Sequence, residues 1–148
     1  DGGEMIKLLE SHEVDEVMDV WLETTISAHS FISKKYWTDN YQPLKKGYIP
    51  VSTNFIYKKE GIVRGFISVR DNFFIGALFV LEKHQGKGIG GKLLDYCKSR
   101  YPYLELSVYI YNVKAVRFYQ RHGFLIKSMQ SNENSGFMEY IMSWEKKK

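Results

Sequence analysis

The chain has 148 residues, 44% of them apolar and 26% charged, and carries a formal net charge of +4. Those proportions describe one globular domain, large enough to bury roughly two-thirds of its unfolded surface around a single core. No apolar run is as long as a membrane span and no signal-like start is present, so neither bilayer nor export is indicated, the cytoplasm is the expected compartment, and the positive balance favours an anionic partner.

Asp1 to Glu4, ahead of Met5, read as a leader left from expression, and the expected domain spans residues 5–145. Met5 to Leu9 predicts a short first strand. Ser11 stands where a helix cap is wanted, with Glu13 and Asp15 as favourable charges in the first turn. Val14, Val17, Met18, Trp21, Leu22 and Thr25 keep a helical period to about Ser27. The next 25 residues are irregular and rich in rings (Phe31, Tyr36, Trp37, Tyr41, Tyr48), with His29 among them and a short helix expected near Thr38 to Lys45. Large aromatics stabilise mainly by burial, so most of these rings are expected to cap the sheet. Asn54 to Lys59 and Ile62 to Val69 predict a hairpin turning at Gly61, and Asp71-Asn72 leads into a third strand, Ile75 to Leu81.

Glycine and lysine punctuation follows: Gln85-Gly86-Lys87-Gly88-Ile89-Gly90-Gly91-Lys92. Ile89, Leu93 and Cys97 then recur at helical spacing, and a helix is expected from Ile89 to Arg100. Cys97, the single cysteine, lies on its apolar stripe and reads as a small core residue in a reducing compartment. A strand, a glycine turn and a helix start make an anion site, because the first helical N–H groups have no partner within the helix and the dipole adds positive potential. Three templates compete for the loop. Gly86-x-Gly88-x-x-Gly91 fits a dinucleotide fingerprint, with Glu105 near the spacing of its acidic partner. Gly86 to Lys92 fits G-x-x-x-x-G-K, but Leu93 stands where a nucleotide-hydrolysing loop needs Ser or Thr for magnesium. The third template is Gln-x-x-Gly-x-Gly, met by Gln85, Gly88 and Gly90.

Pro102 ends the helix, Leu104 to Ile110 alternates as a strand, and Asn112 is placed to cap a helix ending near Gly123. Phe124 to Met129 and Phe137 to Trp144 predict a closing hairpin across the polar loop 132–136. The order β-α-α-β-β-β-α-β-α-β-β describes a mixed α/β sheet in a single domain. No metal-ligand cluster and no nucleic-acid-binding motif is visible, so neither a metal nor nucleic acid is expected.

The glycine loop resembles motif A of the GNAT superfamily, the acyl-CoA-dependent N-acyltransferases. Asn112-Val113-Lys114-Ala115-Val116-Arg117-Phe118-Tyr119-Gln120-Arg121-His122-Gly123-Phe124 resembles that family's Asn-x-x-Ala-x-x-Phe-Tyr-x-x-x-Gly-Phe signature and follows motif A at the expected distance. Ala28-His29-Ser30-Phe31-Ile32, Tyr36-Trp37 and Ile141-Met142-Ser143-Trp144 are similar to one bacterial branch, the YiaC-like acetyltransferases. The resemblance covers the chain from Met5 to Trp144 and implies the GNAT fold, with acetyl-CoA as donor, an amine as acceptor and no metal.

It implies further that the motif A strand and the next one splay apart around pantetheine. Phe79 and Val80 would face it, amides from Gln85, Gly86, Lys87, Gly88, Ile89 and Gly90 would hold the pyrophosphate, and Asn112 would hydrogen-bond to coenzyme A. Lys83, Lys87 and Lys92 surround that loop. The Val80 amide would face the thioester oxygen, and Tyr119 would protonate the departing thiolate, since a phenol stays protonated at neutral pH. His29 and Phe31 would belong to the acceptor pocket. The base stays open: Ile75 to Leu81 contains no acid, and Glu105, Tyr109 or His29 acting through water are the alternatives. An amine or protein lysine is the implied acceptor. A module that senses acyl-CoA without turnover and a dinucleotide-binding oxidoreductase are the rival readings.

Overall fold

The computed structural model describes residues 3–148; residues 1 and 2, half of the segment set aside as a leader, lie outside it. Glu4 already belongs to β1 (Glu4–Leu8), which runs antiparallel to β2 (Thr53–Lys59). β2, β3 (Ile62–Arg70) and β4 (Phe74–Val80) form the expected meander. Its two hairpins turn at Glu60-Gly61 and Asp71-Asn72, all four with φ between 55° and 74°. Gly reaches that region without strain, and Asp and Asn tolerate it better than other residues. α4 (Ile89–Arg100) carries the chain to β5 (Tyr103–Tyr109), parallel to β4. α5 (Val113–Arg121) leads to the hairpin of β6 (Leu125–Ser131) and β7 (Met138–Glu145), and β7 enters between β5 and β6. The sheet order is β1-β2-β3-β4-β5-β7-β6.

The sheet buries both faces. Val17, Met18 and Trp21 of α1 (Val14–Ala28) join Ile32, Trp37, Ile49, Ile56, Val63 and Phe66 on one side. Leu93, Leu94 and Cys97 of α4 and Val116 and Tyr119 of α5 cover the other, over Ile67, Leu104, Leu106 and Met142. Cys97 is fully buried there, which pushes its thiol up to about 12.

Two local expectations fail for identifiable reasons. Ser11 does not cap α1. Ser11 to Glu13 form one 3₁₀ turn, and Glu13 turns its carboxylate back to the Glu10 amide (3.0 Å) while Lys7 (2.7 Å) and Lys58 (2.8 Å) hold it. The helix expected at 38–45 starts earlier, as α2 (Lys34–Asp39), because the Ser33 hydroxyl accepts the Tyr36 N–H at 3.2 Å. A short α3 (Tyr41–Pro43) and two irregular turns then reach Val51.

The feature that positions the site is the parting of β4 and β5. They pair only at Phe74–Glu105 and Ile75–Leu106. Just above, Val69 pairs with Ile75 while Ser68 pairs with Ala77, so Gly76 is the extra residue of a bulge, a device that bends its strand. A Cβ on Gly76 would lie 1.3 Å from the Tyr48 hydroxyl, so only glycine lets that ring sit against the bulge. Among the described residues, no helix is long and apolar enough to cross a membrane.

Candidate active site

A cleft of about 1120 Å³ occupies the gap between β4 and β5 and runs from the glycine loop to the aromatic region after α1. At the glycine end, Gly86 (φ 78°) and Gly88 (φ 82°) are left-handed, and a Cβ at either would point into open space. α4 starts with no side-chain cap and no acid in its first turn. Its first helical bond is Lys92 N–H to the Gly88 carbonyl (3.0 Å), leaving the N–H groups of Ile89, Gly90 and Gly91 without an intrahelical partner. Gly90 and Gly91 serve the packing of helices instead. A Cβ there would meet Phe118 at 3.0 Å and His122 at 2.8 Å, so their bareness lets α5 close on α4.

Phe79, Val80, Gln85, Gly86, Gly88, Ile89, Gly90 and Asn112 all line this cleft; Lys87 does not, because it sits at the exposed crest of the loop between two left-handed glycines. Gln85 commits its backbone N–H to the Glu82 carbonyl (3.1 Å), so the donors free for an anion begin after it. Its side chain instead ties the loop down, donating to the Val80 carbonyl (2.9 Å) and accepting from Lys114 (3.1 Å). Lys92 pairs with Glu4 at 2.8 Å. Leu81 N–H donates to the Arg64 carbonyl on β3 (2.9 Å), and alternation along an antiparallel ladder turns the Val80 N–H the other way, into the gap.

Tyr119, in the last turn of α5, is 8% exposed and lines the cleft; burial raises its pKa and keeps the phenol protonated. The Asn112 side-chain oxygen Oδ1 caps α5 by accepting from Ala115 N–H (3.4 Å). His29 Nδ1 lies 2.8 Å from the Thr25 carbonyl, which can only accept, so that nitrogen carries the proton and Nε2 accepts from the Asn112 amide (3.4 Å). Burial lowers the His29 pKa against that bond, holding the ring neutral. His29 therefore steadies the α5 cap as well as lining the cleft.

Phe31 stands one layer behind the wall expected of it: it packs on His29, Tyr109, Tyr111 and Phe137 at 5.3–5.7 Å and does not line the cleft. Of the three candidate bases, Glu105 is outside the cleft, held by Lys127 (3.2 Å) and Tyr103 (2.8 Å). Tyr109 lines it, but burial pushes its phenol up to about 12. Glu139, passed over in the sequence, is a cleft-lining carboxylate only 6% exposed. The available signal was an acid inside the apolar run Phe137 to Trp144. Trp37 and Tyr48 also line the cleft, and their Nε1 and Oη atoms are buried without hydrogen-bond partners among the described residues. Leu93 is fully buried and carries no oxygen to offer a magnesium ion, which removes the hydrolase template; Glu105, outside the cleft, weakens the dinucleotide one. Glu10, His12 and Glu13 come within 4.8 Å of one another, but Lys7 and Lys58 already neutralise the two carboxylates.

Residues 23–146 match the family model described as an acetyltransferase (GNAT) domain. The chain is 34% identical over 140 residues to the peptidyl-lysine N-acetyltransferase YiaC of Escherichia coli K12, covering 95% of this chain and 96% of that protein. It superimposes on the solution structure of apo YjaB from Escherichia coli with a TM-score of 0.84 at 21% identity, covering 98% and 99% of the two chains. The PaiA N-acetyltransferase of Thermoplasma acidophilum, solved in complex with coenzyme A, superimposes with a TM-score of 0.79 at 17% identity, covering 97% and 99%.

Proposed function

The chain belongs to the GNAT acetyltransferase family, and on that premise we propose that it transfers the acetyl group of acetyl-CoA to a primary amine, with a protein lysine as the favoured acceptor. The observation that carries this reading is the cleft where β4 and β5 part, with free helix N-terminal amides at one end and a buried phenol beside it. The lysine preference leans on the name of the 34% identical relative, a peptidyl-lysine N-acetyltransferase. We assign the activity to residues 5–145 and to the cytoplasm.

The residues fit the donor. Phosphate oxygens suit the bare amides of Ile89, Gly90 and Gly91 and the glycines whose missing Cβ leaves open space. When bound, acetyl-CoA supplies an acetyl thioester. Val80 N–H, aimed into the gap, is assigned to the thioester oxygen; a donor placed where negative charge develops contributes about 3 to 4 kcal/mol in well-measured cases. Asn112, with one amide proton left after capping and the His29 bond, is assigned to coenzyme A. The acceptor ammonium first gives a proton to solvent. As the free amine nitrogen bonds to the acetyl carbon and the C–S bond breaks, Tyr119 gives its proton to sulfur. The proton that nitrogen sheds as the amide forms returns through water to the Tyr119 phenolate.

The test is a panel of primary amines, including a lysine peptide, read by free thiol release. Amine-dependent release is expected, together with a higher Tm in acetyl-CoA than in NAD or ATP, since a ligand that binds only the native state stabilises it. No amine-dependent release from a protein that acetyl-CoA stabilises would leave the acyl-CoA-sensing module as the better description.

A further inference from the structure

Among the described residues two carboxylates are buried, Glu13 at 2% and Glu139 at 6% exposure. A buried charge is stable only when paired or well hydrogen-bonded. Glu13 meets that condition with two lysines, Lys7 and Lys58. Glu139 does not: among the described residues no cation pairs with it. Its two oxygens accept only from neutral amides, Gln130 Nε2 at 2.7 Å and Asn132 Nδ2 at 3.1 Å. Unlike Glu13, it lines the cleft.

Its position follows from the sheet. Glu139 is the register partner of Tyr109 on β5, so both side chains leave the same face, the one covered by α1 and α2. Tyr109 borders the gap and meets His29 edge-on with ring centroids 5.4 Å apart, and Trp37 lies tilted against His29 at 4.9 Å. Glu139 thus stands beside Tyr109 on a cleft that His29 and Trp37 also line, and aromatic rings attract a cation over their faces and cover an alkyl stem. Arg70, a cationic side chain that also lines the cleft, lies over the rings of Tyr48 and Phe74 and reaches Asp71 at 3.5 Å, not Glu139.

We propose that Glu139 is the seat for the ammonium of the acceptor: the cation missing from its surroundings is supplied by an alkylammonium substrate. This rests on the acetyltransferase reading and adds the residue that selects a charged acceptor. The amides of Gln130 and Asn132 fix the carboxylate in place, and Tyr109 flanks it.

The test compares two acceptor peptides that differ at one side chain, a lysine and a glutamic acid γ-hydrazide, whose terminal NH2 is of similar reach but uncharged at neutral pH. Removing one member of a buried charge pair typically costs a factor of roughly 30 or more. For Glu139→Gln the expected result is a fall of that size in kcat/KM for the lysine peptide, mostly in KM, with less than about a threefold change for the hydrazide. Glu139→Asp should recover part of the lysine rate. Equal losses on both peptides would mark Glu139 as structural and overturn the proposal, as would no loss on either. Wild-type protein gives a second measurement, independent of whether the variants fold. Pentyltrimethylammonium, a cation that cannot be acetylated, should compete with the lysine peptide while its uncharged carbon isostere does not; equal inhibition by both overturns the assignment. If wild type acetylates neither peptide nor any other amine, the acetyltransferase reading itself fails, an outcome separate from a wild type that works and a Glu139→Gln that matches it.

Discussion

Tyr119 and Tyr48 are both phenols on the cleft with little access to water, yet their surroundings predict opposite responses to the same substitution. Tyr119 is kept protonated by burial and is the residue assigned above to protonate the departing sulfur. Tyr119→Phe should lower kcat by roughly 10²- to 10⁴-fold when chemistry limits turnover, with acetyl-CoA affinity and Tm little changed. Steady-state rates at saturating acetyl-CoA and a binding isotherm check this; a kcat within about threefold of wild type would retire it as the acid. The Tyr48 hydroxyl finds no hydrogen-bond partner among the described residues, so Tyr48→Phe removes a buried polar atom that gains nothing in the fold. Its Tm should stay level or rise. Gly76→Ala, by contrast, drives a methyl into the Tyr48 ring and should cost about 1 to 3 kcal/mol in a denaturant titration.

At the scale of elements, the glycine loop is divided between positions that face open space and positions that pack a neighbouring helix. Gly86 and Gly88 hold left-handed turns facing open space, whereas Gly90 and Gly91 make room for α5. Gly88→Asp combines backbone strain with a negative charge beside the free amides of α4 and should abolish the rise in Tm caused by acetyl-CoA. A rise equal to wild type in a folded Gly88→Asp protein would take the loop out of the donor site. Gly90→Ala should act differently, through the α4–α5 contact, lowering Tm even with no ligand present. α5 is held from two sides: its cap Asn112 is anchored by His29, which hangs from the end of α1 through Thr25.

Across the whole molecule, the buried ionisable groups set the pH range of stability. His29 has a folded pKa below its ordinary 6.5, because burial disfavours its charged form. Its contribution is present above that value and is lost as pH falls through the lower folded one. For Glu13, burial acts to raise the pKa, but the hydrogen bonds from Lys58 and Lys7 outweigh it and hold the carboxyl at about 2. That contribution is present above 4.5 and fades as pH falls toward 2. On the alkaline side, burial raises Cys97 from 9.0 and Tyr109 from 10.0, each to about 12. Their stabilisation is complete below the ordinary values and declines as pH climbs from about 9 toward 12. Urea midpoints measured against pH should therefore form a plateau from about 7 to 9 with a fall on each side. A midpoint unchanged between pH 7 and pH 3 would contradict the place given to Glu13.

Local pattern was enough for the succession of elements, the glycine loop and the α5 cap, because each depends on residues within a few positions of one another. The Ile89–Arg100 helix, the Asn112 cap and the two hairpins of the meander come from periodicity and turn chemistry alone. The Ser11 cap failed because lysines from β1 and β2 compete for Glu13, a contest between residues up to 45 positions apart. The position of β7 between β5 and β6, the bulge at Gly76 and the gap it helps open belong to pairing across the sheet, which alternation within one strand cannot specify. Glu139 makes the same point within the site. In the chain it is one acid in an apolar strand; only the fold sets it against Tyr109, removes it from water and leaves it without a cation among the described residues. Strand register decides which face a side chain leaves, and burial decides what its charge must find there.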